Sequence, residues 1–115
     1  MKLRIQDPRG ISVSGAEPLH RRVPTADEDG KPLADFMMLI PGLRDWPRAR
    51  FERALAAMHA VLGNCQEVVF ADLNVPLNLL WVSVKTRPGV ISEVAAMLQM
   101  RIPEALIVSP HGRGG

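Results

Sequence analysis

The chain has no tyrosine, two tryptophans, three phenylalanines and one cysteine in 115 residues. A single cysteine, Cys65, excludes an intrachain disulfide and any cysteine-built zinc cluster. It is expected to be a small, buried residue. No apolar run approaches the roughly 18 residues that a membrane helix needs. The opening Met1–Pro8 lacks the hydrophobic stretch of a signal peptide. These absences lead us to expect a cytoplasmic domain with no membrane partner. A one-sided charge is missing too. Residues 1–34 carry six basic and five acidic side chains, and residues 35–115 carry eight and seven. That balance argues against a nucleic-acid-binding arm or an acidic tail. Few aromatics means few platforms for base stacking, so no nucleic-acid partner is expected. His20, His59 and His111 are far apart, and no His, Asp or Glu spacing suggests a metal. No nucleophile–base set is visible. Neither catalytic residues nor a cofactor are expected.

What the chain does have is glycine (9), proline (10) and a 47% apolar share. That share is in the globular range, and the length suits one domain. Much of the Gly, Pro and charge of the first part falls in Asp7-Pro8-Arg9-Gly10, Glu17-Pro18, Val23-Pro24 and Asp27–Pro32. We read residues 1–34 as an extended N-terminal arm, 35–110 as the folded domain and 111–115 as a tail. Within the arm, Leu3–Gln6 and Ile11–Ser14 could pair as a hairpin across Pro8-Arg9-Gly10.

From Asp35 the pattern becomes regular. Phe36–Ile40 is a continuous apolar run stopped by Pro41-Gly42, which predicts a buried strand. Asp45 is placed to cap a helix beginning near Trp46-Pro47. Phe51, Leu55, Met58 and Leu62 follow at spacings of four, three and four, one stripe of a helix over about 46–62. Gly63-Asn64 suggests a left-handed end. Glu67–Leu73 and Leu79–Lys85 read as two strands joined by Asn74–Asn78, with Asp72 as a turn-side carboxylate. Arg87-Pro88-Gly89 stops the second of these strands. Val90, Val94, Met97 and Leu98 predict a second helix, and Ala105–Ser109 a last strand. The order strand, helix, strand, strand, helix, strand is that of an α+β, ferredoxin-like split βαβ. It predicts a four-stranded antiparallel sheet with two helices on one face. Pro41-Gly42 and Pro88-Gly89, each at a strand-to-helix junction, form a weak internal repeat.

Alternation along the strands sorts the side chains by face. Leu80, Val82 and Val84, with Phe36 and Phe70, are expected to meet the helices. Trp81, Leu79, Met37, Leu39, Val69 and Leu73 are expected on the opposite, open face. That face is too apolar to stand in water. A covering N-terminal arm or a second subunit would resolve this, and we expect a homodimer with those six residues at its interface.

The stretch Leu80–Leu98, with Lys85-Thr86-Arg87-Pro88-Gly89-Val90 at its centre, resembles the opening of an ACT domain. In that family a strand, a charged residue and Pro-Gly-Val or Pro-Gly-Leu lead into a helix. Such domains are ferredoxin-like regulatory modules that bind amino acids or similar small ligands, usually across a dimer interface. The resemblance implies a ligand site at Arg87, Pro88, Gly89 and Val90, and the internal repeat adds Gly42 and Arg44. An amino acid or other small anionic ligand is the implied partner. Here the unit comes second along the chain, whereas in an ACT domain it comes first. Arg44, Arg48, Arg50 and Arg53 also gather near the first helix's start, where cations are unfavourable unless an anion or acidic partner meets them. The functional expectation is a non-catalytic regulatory or accessory module that binds a small ligand or a partner protein. The alternative is a small dimeric α+β-barrel enzyme of isomerase or monooxygenase type.

Overall fold

The computed structural model describes residues 2–6 and 32–108. Strand β1 (Lys2–Gln6) is followed by β2 (Leu33–Leu39), a short 3-10 turn (Leu43–Asp45), helix α1 (Arg48–Gly63), β3 (Val68–Asn74), β4 (Leu79–Lys85), helix α2 (Val90–Arg101) and β5 (Leu106–Val108). The strands form one sheet in the order β1-β3-β4-β2-β5. From β2 onward the element order and the antiparallel pairing are compatible with a ferredoxin-like fold.

The expected four-stranded antiparallel sheet needs correction, because the sheet has five strands and is mixed. β1 joins β3 in parallel, with Leu3 opposite Ala71 and Ile5 opposite Leu73. The edge of β3 offers unpaired backbone groups, and this register puts Leu3 and Ile5 into the core beside Ala71 and Leu73. Leu3–Gln6 is thus a strand, but its partner is β3. The proposed Ile11–Ser14 partner lies outside the described residues, as do most of the arm and the tail.

Of the predicted stripe, helix α1 buries Phe51, Met58 and Leu62 and leaves Leu55 half-buried, with Ala54 buried beside them. Its ends differ from expectation. Asp45 closes the 3-10 turn, and Pro47 occupies the cap position with no side-chain cap. Gly63 is the last helical residue, and Asn64 ends the helix with right-handed geometry, φ −96°. The Asn64 amide donates to the Ala60 carbonyl at 2.7 Å, supplying the closure a left-handed glycine would otherwise give.

The core lies between the helices and one face of the sheet. Phe36, Met38, Leu80, Val82 and Val84 line that face as predicted. Strand β3 departs from the prediction through a bulge. Val68 pairs with Val84 and Phe70 with Ser83, so Val69 is an extra residue between them. After that extra residue the alternation inverts. Ala71 and Leu73 turn into the core opposite Val82 and Leu80, while Phe70 and Asp72 turn to the other face opposite Ser83 and Trp81.

The internal repeat has a backbone counterpart. Gly42 and Gly89 both have left-handed φ, 77° and 78°, at the two strand-to-helix junctions. An added Cβ there costs about 1–2 kcal/mol in this region of φ and ψ. Gly89→Ala should therefore lower stability in urea melts by about that much. Gly42→Ala should lose a similar amount, because its Cβ would meet Trp46 Nε1 at an ordinary contact distance of 3.4 Å and the φ strain is the same. Equal stability of both variants to the parent would refute the strain.

Candidate functional site

The residues assigned to a ligand by resemblance fall in two places. Gly42 and Arg44 follow β2, while Arg87, Pro88, Gly89 and Val90 follow β4. The two strands are antiparallel, so these junctions are at opposite ends of the sheet. The internal repeat makes them equivalent in local conformation without bringing them together.

At the first junction Arg44 serves the local architecture. Its backbone N–H donates to Asn78 Oδ1 at 2.8 Å and its Nη1 to the Pro76 carbonyl at 3.3 Å. It thereby ties the 3-10 turn to the β3–β4 turn. At the second junction a depression of about 470 Å³ is lined by Ala34 and Thr86–Ser92. Arg87 stands at its rim with its guanidinium already engaged. Nε donates to Glu67 at 3.1 Å, and Nη2 and Nη1 grip the Glu93 carboxylate at 3.0 and 3.4 Å. The Glu93 hydrogen bonds, with those to Glu67, push the Arg87 pKa above its ordinary value. Two carboxylates around one guanidinium leave this corner with negative charge. Cys65 is affected accordingly: burial first, then Glu67 and Glu93, raise its thiol pKa. The thiol is half-buried, not buried as expected, and a raised pKa disfavours the reactive thiolate.

The four arginines near α1 do not converge either. Arg44 points to the β3–β4 turn, Arg48 pairs with Glu52 at 3.2 Å, and Arg50 pairs with Glu104 at 2.6 Å. The Arg50 guanidinium also lies 3.8 Å from the Trp46 ring centre. Arg53 is exposed one turn further along. Residues close in sequence at a helix start thus radiate around it.

Of the six expected interface residues, Trp81, Leu79, Met37 and Leu39 lie half-buried on the face opposite the helices. Val69 is the half-buried bulge residue. Leu73 is corrected to the core, where it is fully buried. Phe70 takes the reverse correction: it leaves the helix side for the open face and is nevertheless 3% exposed.

That face also holds a polar cluster the sequence reading missed. Asp72 is mid-strand and 2% exposed, not a turn carboxylate. Gln6 Nε2 donates to its Oδ2 at 2.6 Å, and Arg4 Nε stands 3.6 Å from its Oδ1. Burial raises the Asp72 pKa, while the Gln6 hydrogen bond and the Arg4 charge pull it partly back. Arg4 Nε and Nη1, Asp72 Oδ1 and the neighbouring Trp81 Nε1 are buried without hydrogen-bond partners. Beside them Ser83 donates to Asp35 at 2.8 Å. The alternation Leu3-Arg4-Ile5-Gln6 carried the missed signal, since it puts two polar groups on one face of a strand. Such a cluster can hold a proton or orient a polar group. No group of three or more potential metal ligands occurs among the described residues. Comparison with protein-family models, with curated proteins and with solved structures returned no match.

Proposed function

We propose that this chain is a non-catalytic accessory module that works by binding a partner protein, and that its first partner is a second copy of itself joined through β5. The observation that carries this reading is the contrast between the two sheet edges. The β1 edge strand carries an inward-pointing charge, Arg4, buried beside Asp72, which discourages further pairing. The β5 edge strand is Leu106-Ile107-Val108, with Leu106 52% and Ile107 47% exposed. Leu106 continues across Leu39 to Leu79 on the open face, so the bare edge adjoins an apolar strip. Two antiparallel β5 strands are self-complementary about a twofold axis.

A small-ligand role at Arg87–Val90 draws less support, because the guanidinium that would meet a carboxylate is held by Glu67 and Glu93. The enzyme alternative draws support from Asp72 with its raised pKa. At 2% exposure, however, that carboxyl gives a substrate little access.

Light scattering on the intact chain tests the pairing. The parent should have twice the 12.6 kDa chain mass. Ile107→Lys should halve that mass without unfolding, because a half-exposed edge position lets the lysine reach water. A parent at single-chain mass at tens of micromolar, or a persistent dimer in Ile107→Lys, would overturn the β5 pairing.

A further inference from the structure

The described arginines divide unevenly. Arg4, Arg44, Arg48, Arg50 and Arg87 each have a carboxylate within 4 Å. Arg53 and Arg101 are exposed and make no ion pair or side-chain hydrogen bond with another described residue. These two residues, one on α1 and the other closing α2, line the same groove. It measures about 360 Å³, with Ala54, Ala57 and Trp46 among its lining. Arg50 also borders it, with its charge offset by Glu104 at 2.6 Å. The groove therefore has a surplus of two positive charges beside small alanine side chains and an aromatic ring.

We propose that this groove binds an acidic segment of a partner protein, with Arg53 and Arg101 each taking a carboxylate. Arg101 sits at a helix C-terminus, which by itself stabilises a cation. Arg53 lies within α1 and has no such support, so its place in the same groove as Arg101 is the more telling. The alanine side chains are small and leave room for an extended backbone to approach. The open form suits a chain segment better than a small molecule, which is normally enclosed over most of its surface. Arg50 and Glu104 neutralise each other, leaving the two outer guanidiniums to set spacing and sign. Guanidinium–carboxylate hydrogen bonds are among the stronger ones available at a surface. The groove is separate from the β5 edge, so this inference stands or fails independently of the dimer.

Fluorescence anisotropy of labelled hexaglutamate, titrated with the intact chain at low salt, tests it. The peptide should bind, and binding should weaken with added salt. Arg53→Gln and Arg101→Gln should each weaken it about tenfold, the scale of one lost charge-assisted contact. Arg48→Gln, on the same helix but paired with Glu52, should change it less than about twofold. The double variant Arg53→Glu/Arg101→Glu should lose hexaglutamate and gain hexalysine. No binding by the parent, parent-like binding by either glutamine variant, or an equal loss in Arg48→Gln would overturn the site. Displacement of the peptide by glutarate or inorganic phosphate at matched charge would overturn the peptide as its occupant.

Discussion

Asp72→Ala should destabilise the fold by about 3–5 kcal/mol, the range for breaking a buried ion pair by removing one partner. The side chain of Arg4 is 8% exposed, and Asp72 is its one carboxylate neighbour among the described residues. Without it a guanidinium remains in a place that solvates it poorly. The pair itself contributes less than this loss suggests. The Nε–Oδ1 separation of 3.6 Å exceeds a hydrogen bond, and both atoms lack other partners. Replacing both residues with apolar ones, as in Arg4→Met/Asp72→Leu, should therefore recover most of the stability. Chemical denaturation of the two single variants and the double variant checks the cycle. Additive losses would show that the two side chains are not coupled.

The same carboxyl gives a pH signature. Its folded pKa lies above the ordinary value of 3.8, chiefly through burial. The folded state then holds the proton more tightly than the unfolded one. The stability linked to that proton is complete below the unfolded pKa and is lost as pH rises through the folded pKa, while the charge left opposite Arg4 is what Asp72→Ala removes. Asp72→Asn removes the titration. The stability of the parent relative to Asp72→Asn should fall as pH climbs above the unfolded value, then level off. A flat difference, or one that grows with pH, would contradict the raised pKa.

How much of this was readable follows from the range of each signal. The α1 stripe Phe51–Leu62 and the paired Pro-Gly stops are local, governed by helical period and by backbone freedom, and both appear where predicted. The addition of β1 beside β3 depends on contacts between residues almost seventy apart, which composition and periodicity do not encode. Asp72 reads as a turn-side carboxylate from its place just before Asn74–Asn78, whereas β3 runs on to Asn74 and holds it mid-strand. The arginines near α1 looked like one site because they are adjacent in sequence. The one that lacks an acid instead shares a groove with Arg101, nearly fifty residues away.

The bulge shows most directly how one residue reassigns a strand, and it predicts unequal consequences for two deletions. Removing Val69 leaves Val68 opposite Val84 and Phe70 opposite Ser83, now in plain alternation. Every other side chain keeps its face, so stability should remain within about 1 kcal/mol of the parent. Removing Ala71 can be absorbed only by using up the same extra residue. Phe70 then slides into the core position opposite Val82 that Ala71 filled at 0% exposure, and Val69 replaces Phe70 on the other face. Overpacking at one position and lost burial at the other should together cost about 2–4 kcal/mol. Keeping Phe70 in place is worse, because Asp72 would enter the apolar core without Gln6 or Arg4 beside it. Urea denaturation of the two deletion variants separates the cases. Equal losses would mean that Val69 is not slack in the strand, and the inverted faces of β3 would then need another cause.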